Sequence, residues 1–166
     1  SLPLGDIPSN TFEKLATIVE NYGEGALRAT QTQNLVLRWI SENKLVELHG
    51  QLSNIGLASY DPPILRNLVA CAGAATCKLG ICLSRGLAEA VRIALEKEGN
   101  DWDSLGDLKI NISGCPNSCG RHSIADIGLH GATRRVKGRL VPHYGIQLGG
   151  CLIEGQTQLA RGKHAV

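Results

Sequence analysis

Apolar side chains at Phe12, Leu15, Ala16 and Val19 share one side of a helical turn, which predicts a helix over residues 11–21. Ser9 and Asn10 stand where a cap is needed, and Gly23 and Gly25 break the pattern. Residues 26–30 and 34–40 read as strands, with Leu35, Leu37 and Trp39 alternating with Val36, Arg38 and Ile40. Leu45, Leu48 and Leu52 then return to helical spacing, so a second helix is expected from Ser41, its cap, to Asn54. Gly56 and Asp61-Pro62-Pro63 interrupt the periodicity, placing a domain boundary near residue 60.

The second part, residues 61–166, opens with an apolar run over 64–70 that leads into Cys71. Leu83, Leu87, Val91 and Leu95 recur every four residues, predicting a strong helix over 80–97, ended by Gly99-Asn100-Asp101. Strands are expected over 108–113, 125–129 and, last, 144–148, closed by Gly149-Gly150. Residues 134–139 read as a basic turn. Strands alternating with helices point to an α+β or α/β architecture. No solenoid repeat or low-complexity run interrupts it.

Composition narrows the class. The chain has 166 residues, 43% hydrophobic and 19% charged, which suits a globular protein that buries its own core. One Phe, three Tyr and two Trp are too few for a base-stacking surface, and a net charge of +2 is too mild to indicate a nucleic-acid partner. No window resembles a membrane span, and residues 1–6 lack the basic region of a signal peptide. The chain starts on Ser1 and contains no methionine, which suggests a processed protein or a piece of a longer one. A cytoplasmic setting follows, with cysteines kept reduced and available to metal.

Four of the six cysteines form two blocks. Cys71 to Cys77 is a C-x5-C, and Cys115-Pro116-Asn117-Ser118-Cys119 is a C-x3-C, with 37 residues between the blocks. Zinc knuckles favour two to four intervening residues, so the first spacing is wide for zinc. The loop Ala72-Gly73-Ala74-Ala75-Thr76 is nearly free of side-chain bulk. Small residues let backbone N–H groups approach an iron–sulfur cluster. A cluster is the favoured reading, with structural zinc or unrelated buried or disulfide cysteines as the alternatives. Cys82 reads as a small apolar residue on the strong helix, and Cys151 as an exposed free thiol. The five histidines show no metal-pair spacing. Of these, His122 lies near the second cysteine block, His130 and His143 border strands, His49 falls on a helix and His164 is in the tail.

The cysteine pattern, with Gly114-Cys115-Pro116-Asn117-Ser118-Cys119-Gly120, resembles the siroheme and 4Fe–4S signature of the nitrite and sulfite reductase family. Residues 27–35 are similar to the hairpin of that family's ferredoxin-like half-domain, and residues 125–131 and 148–150 look like later family segments. The resemblance implies an α+β fold: a ferredoxin-like half-domain over 1–60, then an α/β siroheme and 4Fe–4S domain with a mixed sheet. It implies that Cys71, Cys77, Cys115 and Cys119 ligate the cluster, with Cys119 shared with the siroheme iron. Siroheme carries eight carboxylates, so arginines are expected around it. Arg28 and Arg121 are the favoured candidates, with Arg38, Lys78 and residues 134–139 behind them. Gln33, Asn34 and Asn117 are candidate polar contacts to the macrocycle; the bland reading gives each to its own turn.

One departure matters. In the family's other half the hairpin reads T-x-R-Q, whereas Thr30-Gln31-Thr32-Gln33 here puts Thr32 at the Arg position. The chain therefore resembles the C-terminal half alone, and the family's substrate-binding arginines do not carry over. The implied activity is the six-electron reduction of nitrite to ammonia or sulfite to sulfide. The implied partners are the missing N-terminal half or a partner subunit, with ferredoxin or a reductase as electron donor. The alternative is a 4Fe–4S electron-transfer or sensor module without siroheme.

Overall fold

Two consecutive prolines at 62 and 63 stop the helical pattern, and there the chain divides into two compact units, residues 1–61 and 62–166. The computed structural model describes residues 2–98 and 101–162; the expected stop at Gly99-Asn100 and the tail His164 lie outside the described residues.

The first unit places two helices around a small hairpin. Helix α1, Ser9–Val19, begins two residues earlier than the periodicity predicts, with Pro8 at the cap position and no side-chain cap bond. Leu15 and Val19 are buried, whereas Phe12 is 46% exposed, so the apolar stripe is narrower than expected. Strands β1, Arg28–Ala29, and β2, Leu35–Val36, pair antiparallel, Ala29 opposite Leu35. Both are much shorter than the alternation suggests. Gln33 and Trp39 adopt positive φ of 59° and 58°, which takes the chain out of the extended region on either side of β2. Helix α2, Leu45–Asn54, follows a 3-10 turn over Glu42–Lys44; Ser41 precedes that turn and makes no side-chain cap bond. The Tyr22 hydroxyl donates to Glu47 Oε1 at 2.9 Å and accepts from Gln51 Nε2 at 2.9 Å, tying the end of α1 to α2. Leu15, Val19, Tyr22 and Leu48 form the buried core.

The second unit is built on a five-stranded mixed sheet, as expected. Its order is β3-β4-β5-β6-β7. The strands are β3 Leu68–Ala70, β4 Ile110–Ser113, β5 Ile127–Val136, β6 Arg139–Leu148 and β7 Arg161–Gly162. The first three run parallel and the last three antiparallel. The apolar run over 64–70 splits into a one-turn helix α3, Pro63–Arg66, and β3. Pro63 at the start of α3 suits a helical first turn but not a strand. Every residue of β3 and β4 is buried, as parallel strands covered on both faces should be.

Helix α4, Ser84–Glu98, joins β3 to β4 and packs on both. It starts at Ser84 rather than residue 80, so Cys82 and Leu83 belong to the loop before it; Cys82 is buried and Leu83 is 61% exposed. The buried residues of α4 are the small Ser84 and Ala88, neither with any solvent exposure. The hairpin β5–β6 pairs ten residues on each side, far beyond the two short strands expected. Residues 134–139 are therefore mostly strand, and the turn is only Lys137-Gly138, with φ of 48° and 78°, the positive pair that a tight hairpin requires. The basic segment is exposed to solvent. Residue 148 ends β6 but not the sheet, because β7 adds a short edge. Among the described residues no helix is long and apolar enough to cross a membrane.

Candidate cofactor site

Both cysteine blocks leave the carboxyl ends of neighbouring parallel strands, the position where open α/β sheets bind ligands. Cys71 follows β3 directly, and Cys115 lies two residues beyond β4. Backbone bonds lock the two loops together. The Cys71 N–H donates to Ile112 O at 3.0 Å, and the Ile81 and Cys82 N–H groups both donate to Gly114 O, at 2.8 and 2.9 Å. The Gly114 N–H donates to Cys71 Sγ at 3.1 Å. The contact is backbone on backbone: a Cβ on Gly114 would sit 2.6 Å from the Gly73 Cα. Gly73 itself has φ +58° and lies against Ser84 Oγ and Cys82 O. Glycine is required at both places by approach, not only by conformation.

Within the first loop, Gly73–Ala75 forms a 3-10 turn, and the Cys77 N–H donates to Gly73 O at 2.9 Å. The second loop turns through Ser118 and Arg121, both at φ 59°. Arg121 N–H donates to Ser118 O at 2.7 Å, and Asn111 Nδ2 donates to Arg121 O at 3.0 Å. Ser113 Oγ accepts the Gly120 N–H at 3.1 Å and lies 2.9 Å from His122 Nδ1. The hydroxyl proton is thus available to a neutral His122 ring. His122 is 3% exposed and stacks on His130, with centroids 4.9 Å apart and an interplanar angle of 22°. Burial, reinforced by the neighbouring His130, holds the His122 pKa below its ordinary value. Burial, then His143, does the same for His130.

All six cysteines are free thiols. Cys115 is buried, Cys71 half-buried, and Cys77 and Cys119 are exposed. Cys82 donates to His143 O at 3.3 Å, and burial pushes its thiol pKa up, as suits an inert apolar residue. Cys151, expected to be exposed, is half-buried, because its backbone pairs with Gln158.

Among the described residues, no three His, Cys, Asp or Glu side chains converge on a single metal ion. Zinc knuckles place two to four residues between paired cysteines, and the first block has five. An iron–sulfur cube takes thiolates from separate segments, and the free thiols here stand on two loops packed through glycine. A second observation agrees. The Tyr144 hydroxyl is buried without a hydrogen-bond partner. Burial, with Cys82 and Cys71 adding to it, pushes its pKa up to about 12. A protonated donor within electrostatic reach of Cys71 suits a sulfur-rich anionic group.

The remaining candidates are placed as follows. Asn117 is exposed between the paired cysteines, and Arg121 is half-buried at the left-handed turn after Cys119. In the first unit, the Arg28 guanidinium is held by Glu24 through two bonds of 3.0 Å. Asn34 Oδ1 accepts the Leu2 N–H at 2.7 Å, and its Nδ2 donates to Thr32 O at 3.1 Å. The Asn34 amide thus serves its own turn and the segment at Leu2, and Gln33 occupies the left-handed position in the turn. Sequence reasoning missed Ser84, Ser113 and the pairing of Ser113 with His122. A serine opening a helix reads as a cap, and no spacing rule links residue 113 to residue 122.

Fold and loops together define an α+β cofactor-binding domain with its cysteines at the carboxyl ends of parallel strands, preceded by a small helix–hairpin unit. The chain belongs to the nitrite and sulfite reductase family. Residues 1–55 match the family's ferredoxin-like half domain, and residues 63–161 match the nitrite and sulphite reductase 4Fe-4S domain. The chain is 33% identical over 149 residues to ferredoxin–nitrite reductase of Synechococcus elongatus, covering 90% of this chain and 28% of that protein. It is 35% identical over 151 residues to sulfite reductase [ferredoxin] 2 of Mycolicibacterium paratuberculosis, covering 89% and 27%. The solved structure of the Mycobacterium tuberculosis NirA protein superposes over 100% of this chain and 31% of that one, with a TM-score of 0.86 at 32% identity. Dissimilatory sulfite reductase I shares the fold, with a TM-score of 0.75 at 12% identity. The chain thus spans less than a third of the length of the relatives it matches at 32–35% identity. The family's cofactors are a 4Fe–4S cluster and siroheme.

Proposed function

We propose that this chain is the cofactor-carrying half of a siroheme- and 4Fe–4S-dependent reductase that converts nitrite to ammonia or sulfite to sulfide. The observation that carries this reading is the joining of the two cysteine loops through Gly114, whose carbonyl takes two N–H groups from the first loop and whose own N–H reaches Cys71 Sγ. Cys71, Cys77, Cys115 and Cys119 hold the cluster, and Cys119, at the exposed end of the second loop, is the thiolate shared with siroheme. When bound, the two groups supply electron storage and the multi-electron reduction of a small oxyanion.

The chain's own residues position and tune. Gly114 brings its backbone N–H to the Cys71 sulfur, and Gly73 leaves room for that approach. Ser113 and His122 fix the turn that carries Cys119. Arg121 and Asn117 flank that cysteine and supply charge and hydrogen bonds to siroheme's anionic edge. In the half-domain hairpin, Arg28, Gln33 and Asn34 are the residues that would offer charge and hydrogen bonds to a siroheme carboxylate. The rest of the substrate cavity comes from a further segment or a partner subunit. Ferredoxin is the electron donor favoured by the names of the relatives, and a reducing compartment such as the cytoplasm suits the free thiols.

The test is anaerobic purification together with the segment or subunit that completes the cavity, followed by visible spectroscopy and a reductase assay with nitrite and with sulfite. The reading predicts a siroheme absorption band together with cluster absorption. A protein that carries cluster iron and no tetrapyrrole, and turns over neither anion, is instead the electron-transfer or sensor module.

A further inference from the structure

Ser84 is the first residue of the fifteen-residue helix α4, and it has no solvent exposure. Its hydroxyl is not spent on capping its own helix. It donates to Cys71 O at 2.7 Å and lies 3.4 Å from Cys71 Sγ. The space it fills exists because residue 73 has no Cβ: a side chain there would collide with Ser84 Oγ. A serine buried this completely, thirteen residues along the chain, is held against one cysteine at both its carbonyl and its sulfur.

The protonation state of Cys71 decides what the second contact is. A free thiol can donate its S–H to Ser84 Oγ. A thiolate bound to iron has no proton and can only accept. On ligation the contact must therefore become O–H···S, with the hydroxyl proton shared between Cys71 O and Cys71 Sγ, or be lost. Confinement by Gly73 on one side and the start of α4 on the other keeps the oxygen in place. The Gly114 N–H already donates to the same sulfur, so Cys71 would accept from two donors. The partial positive charge at the start of α4 acts in the same direction.

We propose that Ser84 is a positioning residue for the cluster: it orients Cys71 and, through O–H···S bonding to the ligating thiolate, raises the reduction potential of the cluster. This rests on the reading of Cys71 as a ligand. Donors to ligand sulfur stabilise the extra negative charge of the reduced state, so removing one makes reduction harder.

The experiment is a redox titration of the cluster-loaded protein, followed by electron paramagnetic resonance, for wild type, Ser84→Ala and Ser84→Cys. Ser84→Ala should bind the same iron and sulfide per chain yet titrate at a more negative potential. Ser84→Cys, a weaker donor, should shift the same way by less, and it carries the test if the alanine variant fails to fold. Pulsed resonance on protein refolded and loaded in D2O should show an exchangeable deuteron coupling that Ser84→Ala loses. A fully loaded Ser84 variant with wild-type potential and an unchanged deuteron signal would overturn the role of Ser84 and leave the ligand reading standing. Wild-type protein that takes up neither iron nor sulfide would overturn the ligand reading itself, and this proposal with it.

Discussion

His122 is held neutral by burial, and its folded pKa lies below its ordinary value. Below a pH of about 6.5 the unfolded chain binds a proton that the folded chain resists, so stability is fully present above that pH and falls as the solution is acidified. His130 adds to the same trend. Urea midpoints measured between pH 7.5 and 5.5 should decline, and His122→Gln should flatten that decline while lowering stability at pH 7.5. A midpoint independent of pH would count against this account of the pair. Cysteines separate at the same scale. Cys119→Ser should cost the cluster and its coupling to siroheme, whereas Cys82→Ser should leave cofactor content nearly unchanged. Equal losses in iron analysis would show the ligands to be misassigned. Spacing singled out the two cysteine blocks, and the family resemblance made their four members candidate ligands. Ser84 and Ser113 were not legible, because what singles them out is distance across loops, not order along the chain.

At the scale of elements, the cysteine loops inherit their positions from β3 and β4. Ile112, at the centre of β4, is fully buried and three residues from Cys115. Ile112→Ala removes methyl groups from a packed parallel sheet and should cost about 2–5 kcal/mol, measured by chemical denaturation. A loss under about 1 kcal/mol would mean that the site collapses freely around the cavity. Gly114→Ala acts differently. Its methyl would meet the Gly73 backbone, so it should part the loops and lower cluster retention more than overall stability. Helices α1, α2 and α4 and strand β4 were visible in the hydrophobic pattern, because periodicity reports a buried face, whereas α3 and β3 were read only as one apolar run. Hairpin lengths were not visible. In unit one, Gln33 and Trp39 turn to positive φ on either side of the two-residue β2, and β5–β6 extend through exposed Arg134, Arg135 and Arg139, where pairing proceeds without burial.

At the scale of the whole molecule, the two units differ in how much they bury. Among the described residues the first unit buries four hydrophobic side chains, Leu15, Val19, Tyr22 and Leu48. Its leucines also line an apolar pocket of about 330 Å³. The second unit places a continuous sheet against α4. Hydrogen exchange should therefore be faster across residues 2–61 than across β3, β4 and the half of β5 that is paired on both sides. Equal protection would contradict that ranking. The fold class and the family were both readable from sequence, because the cysteine spacing and its glycine-rich surroundings encode the cofactor itself.

The central claim is that four thiolates from two loops, joined at Gly114, share one cube. The most direct measurement is iron and acid-labile sulfide per chain after anaerobic reconstitution, in wild type and in single alanine variants of all six cysteines. Four irons and four sulfides in wild type, Cys82→Ala and Cys151→Ala, with loss in Cys71→Ala, Cys77→Ala, Cys115→Ala and Cys119→Ala, is the predicted result. A wild-type chain without sulfide, or full content after removal of any of those four, would contradict it.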